Sequence, residues 1–175
     1  MRPIINQKMP ISTIALTAPI DLASLPNHPA INFYKKYGAA FETNLEGTQP
    51  TRFYDSDVVN YLTSCSAGGE RDTIHGAQNC WDAFLKLYAT FERNSYEILT
   101  LTIVSDEEKG THVLHMEAIT SLHLKGGKGV VRVPQMFVYT IGKAKEGEGT
   151  DGLAFKELRN YYNPADIEKA KAQQG

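Results

Sequence analysis

The stretch SYEILTLTIVSDEEKGTHVLHMEAITSLHL, residues 95–124, alternates between apolar and polar side chains on both sides of the turn sequence SDEEKG. A period of two residues is typical of β-strands whose two faces lie in different surroundings. The stretch therefore predicts strands at 96–104 and 111–124. The connection between them is short, and a parallel crossover needs a dozen or more residues, so we expect antiparallel pairing.

Strand-forming sequence patterns continue downstream of this hairpin. β-Branched and aromatic residues predict further strands at 130–141 and 153–162, separated by the glycine-rich segments KGGKG and KAKEGEGTDG. Residues 95–162 are thus predicted to form a four-stranded antiparallel meander. Upstream, residues 58–64 are predicted to be a strand, and the preceding sequence FYDSD at 53–57 is predicted to be a short helical turn.

Two segments before the meander have a helical period instead. Their apolar residues recur at three- and four-residue spacing: Ala30, Phe33, Tyr34, Tyr37 and Phe41 in the first, and Ala77, Cys80, Trp81, Phe84, Tyr88 and Phe91 in the second. We expect Asn27 or His28 to cap the first helix, and Asp72 or Thr73 to cap the second. After the meander, Asn163 and Pro164 predict the start of a last, polar helix.

Helices followed by a long meander indicate an α+β fold, with the helices gathered on one face of the sheet. The sheet must curve to cover them, and a curved antiparallel sheet under N-terminal helices encloses a pocket. The expected plan is a leader arm at 1–29, one domain at 30–165, and a polar helix or tail at 166–175. A chain of 175 residues is an ordinary size for one domain.

The composition excludes several classes of partner. The chain has 18 lysines and arginines against 20 aspartates and glutamates, without a long run of like charge, which argues against nucleic acid and anionic membranes. It lacks the eighteen consecutive apolar residues of a membrane span. We expect Cys65 and Cys80 to be free thiols in a soluble, cytoplasmic protein, with a disulfide between them as the alternative.

The order helix, short strand, helix and four-strand meander resembles the nuclear transport factor 2-like superfamily. This superfamily includes ketosteroid isomerases, SnoaL-like cyclases, limonene epoxide hydrolase and scytalone dehydratase. The segments that carry the resemblance are FYDSDVVNYL, HGAQNCWDAF, VPQMFVYTI and FKELRNYYNP. It implies a cone-shaped fold with a pocket between helices and sheet, a small-molecule ligand, and a homodimer formed through the outer face of the sheet. It leaves the reaction open, because members of one fold perform different chemistry. No cofactor is expected, because the sequence has no phosphate-binding glycine loop and no cofactor fingerprint.

The same resemblance implies roles for individual residues. His123 is similar in position to a catalytic histidine of scytalone dehydratase, and Gln135 to a substrate-contacting asparagine of that enzyme. Tyr61 lies on the strand where relatives place a pocket tyrosine or acid. Asn160 stands where limonene epoxide hydrolase has an aspartate, and Phe137 where the cyclases have their catalytic aspartate, so both of those mechanisms lack their base here.

The remaining candidates are read from the pattern of the residues. Trp81 and Tyr34 are expected to be core or pocket-wall aromatics because they lie in helical stripes. For Tyr162 it is the resemblance that implies a place in the cavity wall, beside Asn160. His115 and Glu117 share one face of their strand with His123, and residue parity leaves open whether that face lines the pocket or lies outside. No metal site is expected, because the three-residue spacing of His112 and His115 places their side chains on opposite faces of the strand.

The resulting prediction is a cofactor-free lyase or isomerase that acts on an apolar oxygenated metabolite, such as a polyketide or terpenoid intermediate. His123 would be the acid/base, Tyr61 would hold water or polarise a carbonyl, and Gln135 and Asn160 would orient the substrate. The alternative is a non-catalytic ligand carrier or a homodimeric interaction module.

Overall fold

A computed structural model describes residues 11–43, 48–65, 69 and 71–173 of the chain; the side chains of Leu22, residues 41–43 and Tyr88 lie outside this description. The described part contains three α-helices and seven β-strands. In chain order these are β1 (Ile11–Thr17), α1 (Pro29–Thr43), β2 (Tyr54–Ser64), β3 (Arg71–His75), α2 (Ala77–Tyr88), β4 (Arg93–Asp106), β5 (Thr111–Leu124), β6 (Gly129–Lys143), β7 (Leu153–Tyr162) and α3 (Pro164–Ala172).

The strands form one curled, open sheet in the order β1-β4-β5-β6-β7-β2-β3. Strands β4 to β7 pair antiparallel with their neighbours along the chain, so the predicted meander is confirmed. Strand β2 pairs with β7 in parallel, and this is the single parallel pairing among the described strands. The α+β class is confirmed as well, with the helices on the concave side of the sheet.

Two local predictions upstream of the meander were wrong. Residues 54–57 do not form a helical turn, because β2 begins at Tyr54 and continues to Ser64. Asp72 and Thr73 do not cap a helix either, since they lie inside β3, which forms an antiparallel hairpin with β2. Helix α2 begins after Gly76, whose φ of 84° favours glycine.

The segment assigned to a leader arm contains a strand that the sequence analysis did not predict. Residues Ile11–Thr17 pair antiparallel with β4 along their whole length and form one edge of the sheet. Most side chains of this edge strand are exposed, so its sequence ISTIALT alternates only weakly between apolar and polar residues. That weak alternation was the only local pattern from which the strand could have been predicted.

The sheet has an inner face, which packs on the helices, and an outer face. On β5 the even-numbered residues from His112 to Leu124 are buried, and the odd-numbered ones are half-buried or exposed. The face carrying Leu114, Met116 and Ala118 is therefore the inner one. No helix within the described residues is long and apolar enough to cross a membrane.

The helices contribute aromatic side chains to one core. Phe33 of α1 packs edge-on against Phe155 of β7, with ring centroids 4.9 Å apart, and the hydroxyls of Tyr37 and Tyr54 are hydrogen-bonded at 2.5 Å. Trp81 of α2 is 2% exposed and contacts the Tyr54 ring. Its predicted burial is confirmed.

Phe84 is half-buried against the same core, whereas the predicted burial of Phe41 and Tyr88 falls on side chains outside the description. Helix α3 closes a second, smaller cluster against β5 and β6 through Ile167 and Ala170. Its start is as predicted, because the Asn163 side chain accepts a hydrogen bond from the amide of Ala165.

Candidate functional site

A cavity of about 210 Å³ lies between the inner face of the sheet and helices α2 and α3. The helices supply a mainly apolar wall through Ala83, Phe84, Leu87 and Ile167. The strands supply a wall with polar groups, formed by Asn60, Gln135, Asn160 and Tyr162. A site with an apolar body and a few convergent polar groups is the usual form of a small-molecule pocket.

Three polar side chains at the strand wall are linked in a chain. The hydroxyl of Tyr139 donates to Oδ1 of Asn160 at 3.3 Å, and Nδ2 of Asn160 donates to Oδ1 of Asn60 at 2.8 Å. All three side chains are buried. The pairing of β2 with β7 brings the two asparagines together across 100 residues of sequence. Burial raises the pKa of Tyr139 well above its usual range, so this phenol stays a hydrogen-bond donor.

Gln135 and Tyr162 form the second polar group in the cavity. They lie directly opposite each other on β6 and β7. Oε1 of Gln135 accepts a hydrogen bond from Thr120 at 2.7 Å, which holds the amide in place. Burial, together with the negative charge of Asp72, raises the pKa of Tyr162, so its hydroxyl is protonated near neutral pH.

The cavity also contacts two charged side chains of α3. Glu168 and Lys171 lie one turn apart on this helix and form a salt bridge of 2.7 Å. Both are largely exposed, and their charges offset each other. Among the lining residues that the structure describes, Glu168 is the only carboxylate, and none is a histidine.

Four of the eight predicted site residues lie together in this cavity. Gln135, Asn160, Tyr162 and Phe137 all line it. Phe137 contributes a buried ring that contacts Tyr139, with centroids 5.7 Å apart. The strand alternation placed these residues on one face, and the packing of α2 and α3 converts that face into a wall of the cavity.

His123 lies on the other side of the sheet. It alternates with Leu122 and Leu124, which are buried in the cluster under α3, so its imidazole points to the outer face. There Nε2 lies 3.3 Å from the hydroxyl of Ser95. His123 is not among the residues lining the cavity, so the geometry does not support its role as acid/base for a ligand there.

Tyr61 is also on the outer face, because it alternates with the cavity residues Asn60 and Leu62. Its ring is covered by two guanidinium groups, Arg71 at 3.7 Å and Arg159 at 5.6 Å from the centroid. The proposed contact of Tyr61 with water or a carbonyl in the cavity is therefore excluded by its direction.

Trp81 and Tyr34 belong to the aromatic core rather than to the cavity lining. Trp81 packs on Tyr54, and the hydroxyl of Tyr34 donates to Sδ of Met116 at 3.5 Å. The structure also decides the question left open for His115 and Glu117. Both alternate with buried residues of β5 and face outward, and Glu117 is exposed.

The sequence analysis missed Asn60, which is central to the strand wall. Its signal was present, since Asn60 shares strand parity with Val58 and Leu62 and therefore lies on the core face of VVNYL. A buried amide on a core face needs partners, and here it finds Asn160. Thr120 was missed in the same way, because its parity with Ala118 and Leu122 also indicated burial.

No protein-family model matches the sequence, and no curated protein matches it significantly. Solved structures do match. The β subunit of benzoate 1,2-dioxygenase from Burkholderia mallei superposes with a TM-score of 0.58 at 12% identity, covering 81% of this chain and 94% of that one.

The β subunit of a proposed aromatic-ring-hydroxylating dioxygenase from Novosphingobium aromaticivorans has a TM-score of 0.54 at 15% identity, covering 75% of this chain and 85% of that one. A proposed isomerase from Bacillus subtilis has a TM-score of 0.51 at 18% identity, covering 82% of this chain and 93% of that one. At these identities the likeness concerns the fold alone.

Proposed function

We propose that this chain, which has the nuclear transport factor 2-like fold, binds a small, largely apolar molecule that carries a polar oxygen. The observation that carries the proposal is the cavity itself, in which an apolar helix wall faces a strand wall with Asn60, Gln135, Asn160 and Tyr162. Burial of apolar ligand surface supplies affinity, and the few polar groups orient the ligand.

The size of the cavity limits the ligand. An apolar cavity of about 150 Å³ in another protein accepts benzene. The cavity here, at about 210 Å³, has room for one ring with short substituents. A larger metabolite of several rings would require α2 or α3 to move.

The charges around the cavity favour a neutral ligand. Glu168 and Lys171 offset each other at its edge, and the other polar lining groups are amides and a protonated phenol. A buried ion on the ligand would lack a counter-charge among the described lining residues, and burying an unpaired charge is costly.

A cavity-filling variant tests the proposal. Ala83 of α2 lines the cavity, so Ala83→Trp should occupy the ligand volume, whereas Lys86→Trp adds the same ring to an exposed position of the same helix. We expect substituted single-ring compounds to raise the melting temperature of the wild type and of Lys86→Trp, but not of Ala83→Trp. Equal shifts in Ala83→Trp, or the absence of binding to the wild type, would contradict the proposal.

A cofactor-free lyase or isomerase is the second candidate function. The protonated phenol of Tyr162 in the cavity favours it, because such a group can polarise or protonate an oxygen of the substrate. A carrier returns its bound ligand unchanged, whereas a lyase or isomerase converts it. Mass spectrometry and NMR of a ligand recovered after incubation with the protein distinguish the two.

We also infer a homodimer formed through the outer face of the sheet. Apolar side chains on that face, including Val113, Ile119 and Met136, support it, and Met136 is 43% exposed. Two of the structural neighbours are themselves β subunits, which is consistent with assembly of this fold into oligomers.

A further inference from the structure

Each of the three amides of the strand wall already accepts one hydrogen bond through its oxygen atom. Oε1 of Gln135 accepts from Thr120, Oδ1 of Asn160 accepts from Tyr139, and Oδ1 of Asn60 accepts from Asn160. The carbonyl end of each amide therefore faces a protein partner. The amide nitrogen of Asn160 also has a partner, in Asn60.

Two of those amide groups and one phenol have unused hydrogen-bonding capacity. Within the described part of the chain, Nε2 of Gln135, Nδ2 of Asn60 and the hydroxyl of Tyr162 have no protein partner. Among the described residues, the one fully enclosed side-chain N or O atom without a hydrogen-bond partner is Nδ1 of His28. The three donor atoms named here are therefore not fully enclosed. All three residues line the cavity, so their spare donors are the groups available to a ligand there.

Gln135 and Tyr162 are neighbours on the strand wall. They are directly opposed across β6 and β7, and such cross-strand pairs have Cβ atoms about 4.5–5.5 Å apart. Both side chains project to the inner face. A carbonyl oxygen has two lone pairs, so it can accept from the amide N–H and the phenol O–H at the same time.

The geometry points to Gln135 and Tyr162 as a two-donor site for a carbonyl oxygen, which makes the ligand class a neutral single-ring ketone or aldehyde. This inference rests on the proposed ligand-binding function of the cavity. The oxygen of an alcohol of the same shape can accept the same hydrogen bonds, but its hydroxyl proton then needs an acceptor, and each amide oxygen of the wall already accepts one hydrogen bond. A hydrocarbon would displace water from the two donors without giving them an acceptor, which lowers its affinity.

The test compares three probes of similar shape by calorimetric titration of the full chain. They are acetophenone, 1-phenylethanol and ethylbenzene. One hydrogen bond contributes about threefold to tenfold in affinity. We expect acetophenone to bind about tenfold or more tightly than ethylbenzene, with 1-phenylethanol between them.

Variants assign the effect to the pair. Tyr162→Phe removes one donor, and Gln135→Met removes the other with an uncharged side chain of similar length. Each variant should lower the affinity for acetophenone by about threefold to tenfold and leave the affinity for ethylbenzene unchanged. Unchanged ethylbenzene binding also shows that the variant is folded. Tyr161→Phe, on the outer face beside Tyr162, is the matched control and should bind all probes as the wild type does.

The outcomes separate this inference from the proposed function. Equal affinity of the wild type for all three probes, or unchanged acetophenone binding in both variants, overturns the carbonyl assignment while the ligand-binding function stands. Absence of binding by all three probes overturns the ligand-binding function together with the assignment.

Discussion

His28 and His112 share one hydroxyl at the end of the sheet away from the cavity. Nδ1 of His112 lies 2.8 Å from Oγ of Ser105, and Nε2 of His28 lies 3.1 Å from the same oxygen. The two rings meet edge-on with centroids 5.1 Å apart, and Nδ1 of His28 is enclosed without a partner. This cluster connects the start of α1 to strands β4 and β5.

The surroundings of His28 and His112 favour the neutral form of both imidazoles. Burial lowers the pKa of both histidines, and His28 lowers that of His112 further, while Glu107 acts in the opposite direction on both. Protonation would place two cations side by side and would give His28 a buried N–H without an acceptor.

We therefore expect the free energy of unfolding to fall as the pH drops below about 6.5, the ordinary histidine pKa. The unfolded chain binds these protons at a higher pH than the folded chain, so acid favours unfolding; the slope is at most about 1.4 kcal/mol per pH unit for each histidine. Urea denaturation between pH 7.5 and 5 measures it. The double variant His28→Gln/His112→Gln should flatten the curve, whereas His115→Gln, on the outer face of β5, should not. A flat wild-type curve would refute this expectation.

At the scale of elements, the connection between β6 and β7 is held to β2 by charge. Lys145 contacts Asp55 at 3.0 Å and Asp57 at 2.5 Å, and Lys156 of β7 also pairs with the buried Asp55. Burial acts to raise the pKa of Asp55, but hydrogen bonds from Lys156, the Asp57 amide and Lys145 outweigh it, and the pKa falls to about 2. The carboxylate of Asp55 is therefore charged near neutral pH, as its two salt bridges require.

Gly149 lies where this connection approaches itself most closely. Its φ is 82°, and a Cβ there would lie 2.4 Å from Cβ of Ala144 and 2.5 Å from the carbonyl oxygen of Leu153. Its amide also donates to the carbonyl of Thr51 at 2.8 Å. Gly147 has a similar φ of 79°, but a Cβ there would meet no atom within 4 Å.

The two glycines make a matched pair of variants. Both Gly→Ala changes incur the backbone cost of a positive φ, but only Gly149→Ala adds a steric overlap with backbone atoms. We expect Gly149→Ala to lower the free energy of unfolding by about 1–3 kcal/mol more than Gly147→Ala does. Chemical denaturation of both variants measures the difference. Equal losses would show that the connection can move aside without cost.

At the scale of the whole molecule, the homodimer proposed above predicts the mass of the protein in solution. Sedimentation at micromolar concentration should give a species of about twice the monomer mass of 19.4 kDa. Met136→Glu places a carboxylate directly opposite Glu117 on the outer face of the sheet and should shift the protein to monomer, because two like charges without a counter-charge are costly to bury in an interface. Ala165→Glu, exposed on α3, should leave the dimer intact. A wild-type monomer at these concentrations would exclude the homodimer.

The sequence by itself determined the elements with a strong local period. The meander of β4 to β7, the helices α1 and α2 and the Asn163 cap of α3 follow from alternation, helical stripes and capping chemistry, all of which act between residues close in the chain. The resemblance to the nuclear transport factor 2-like fold was confirmed for the same reason, since it rests on the order of these elements. Strand parity also placed Gln135, Phe137 and Tyr139 together on one face.

Only the tertiary structure decided the start of β2, the existence of β3 and β1, and which face of the sheet is inside. Strand β2 is stabilised by β7, about 100 residues away, and no local pattern encodes that pairing. A period of two assigns residues to two faces but does not say which face the helices cover. The packing of α2 and α3 on the inner face therefore places Asn160 and Tyr162 in the cavity and leaves His123 and Tyr61 outside.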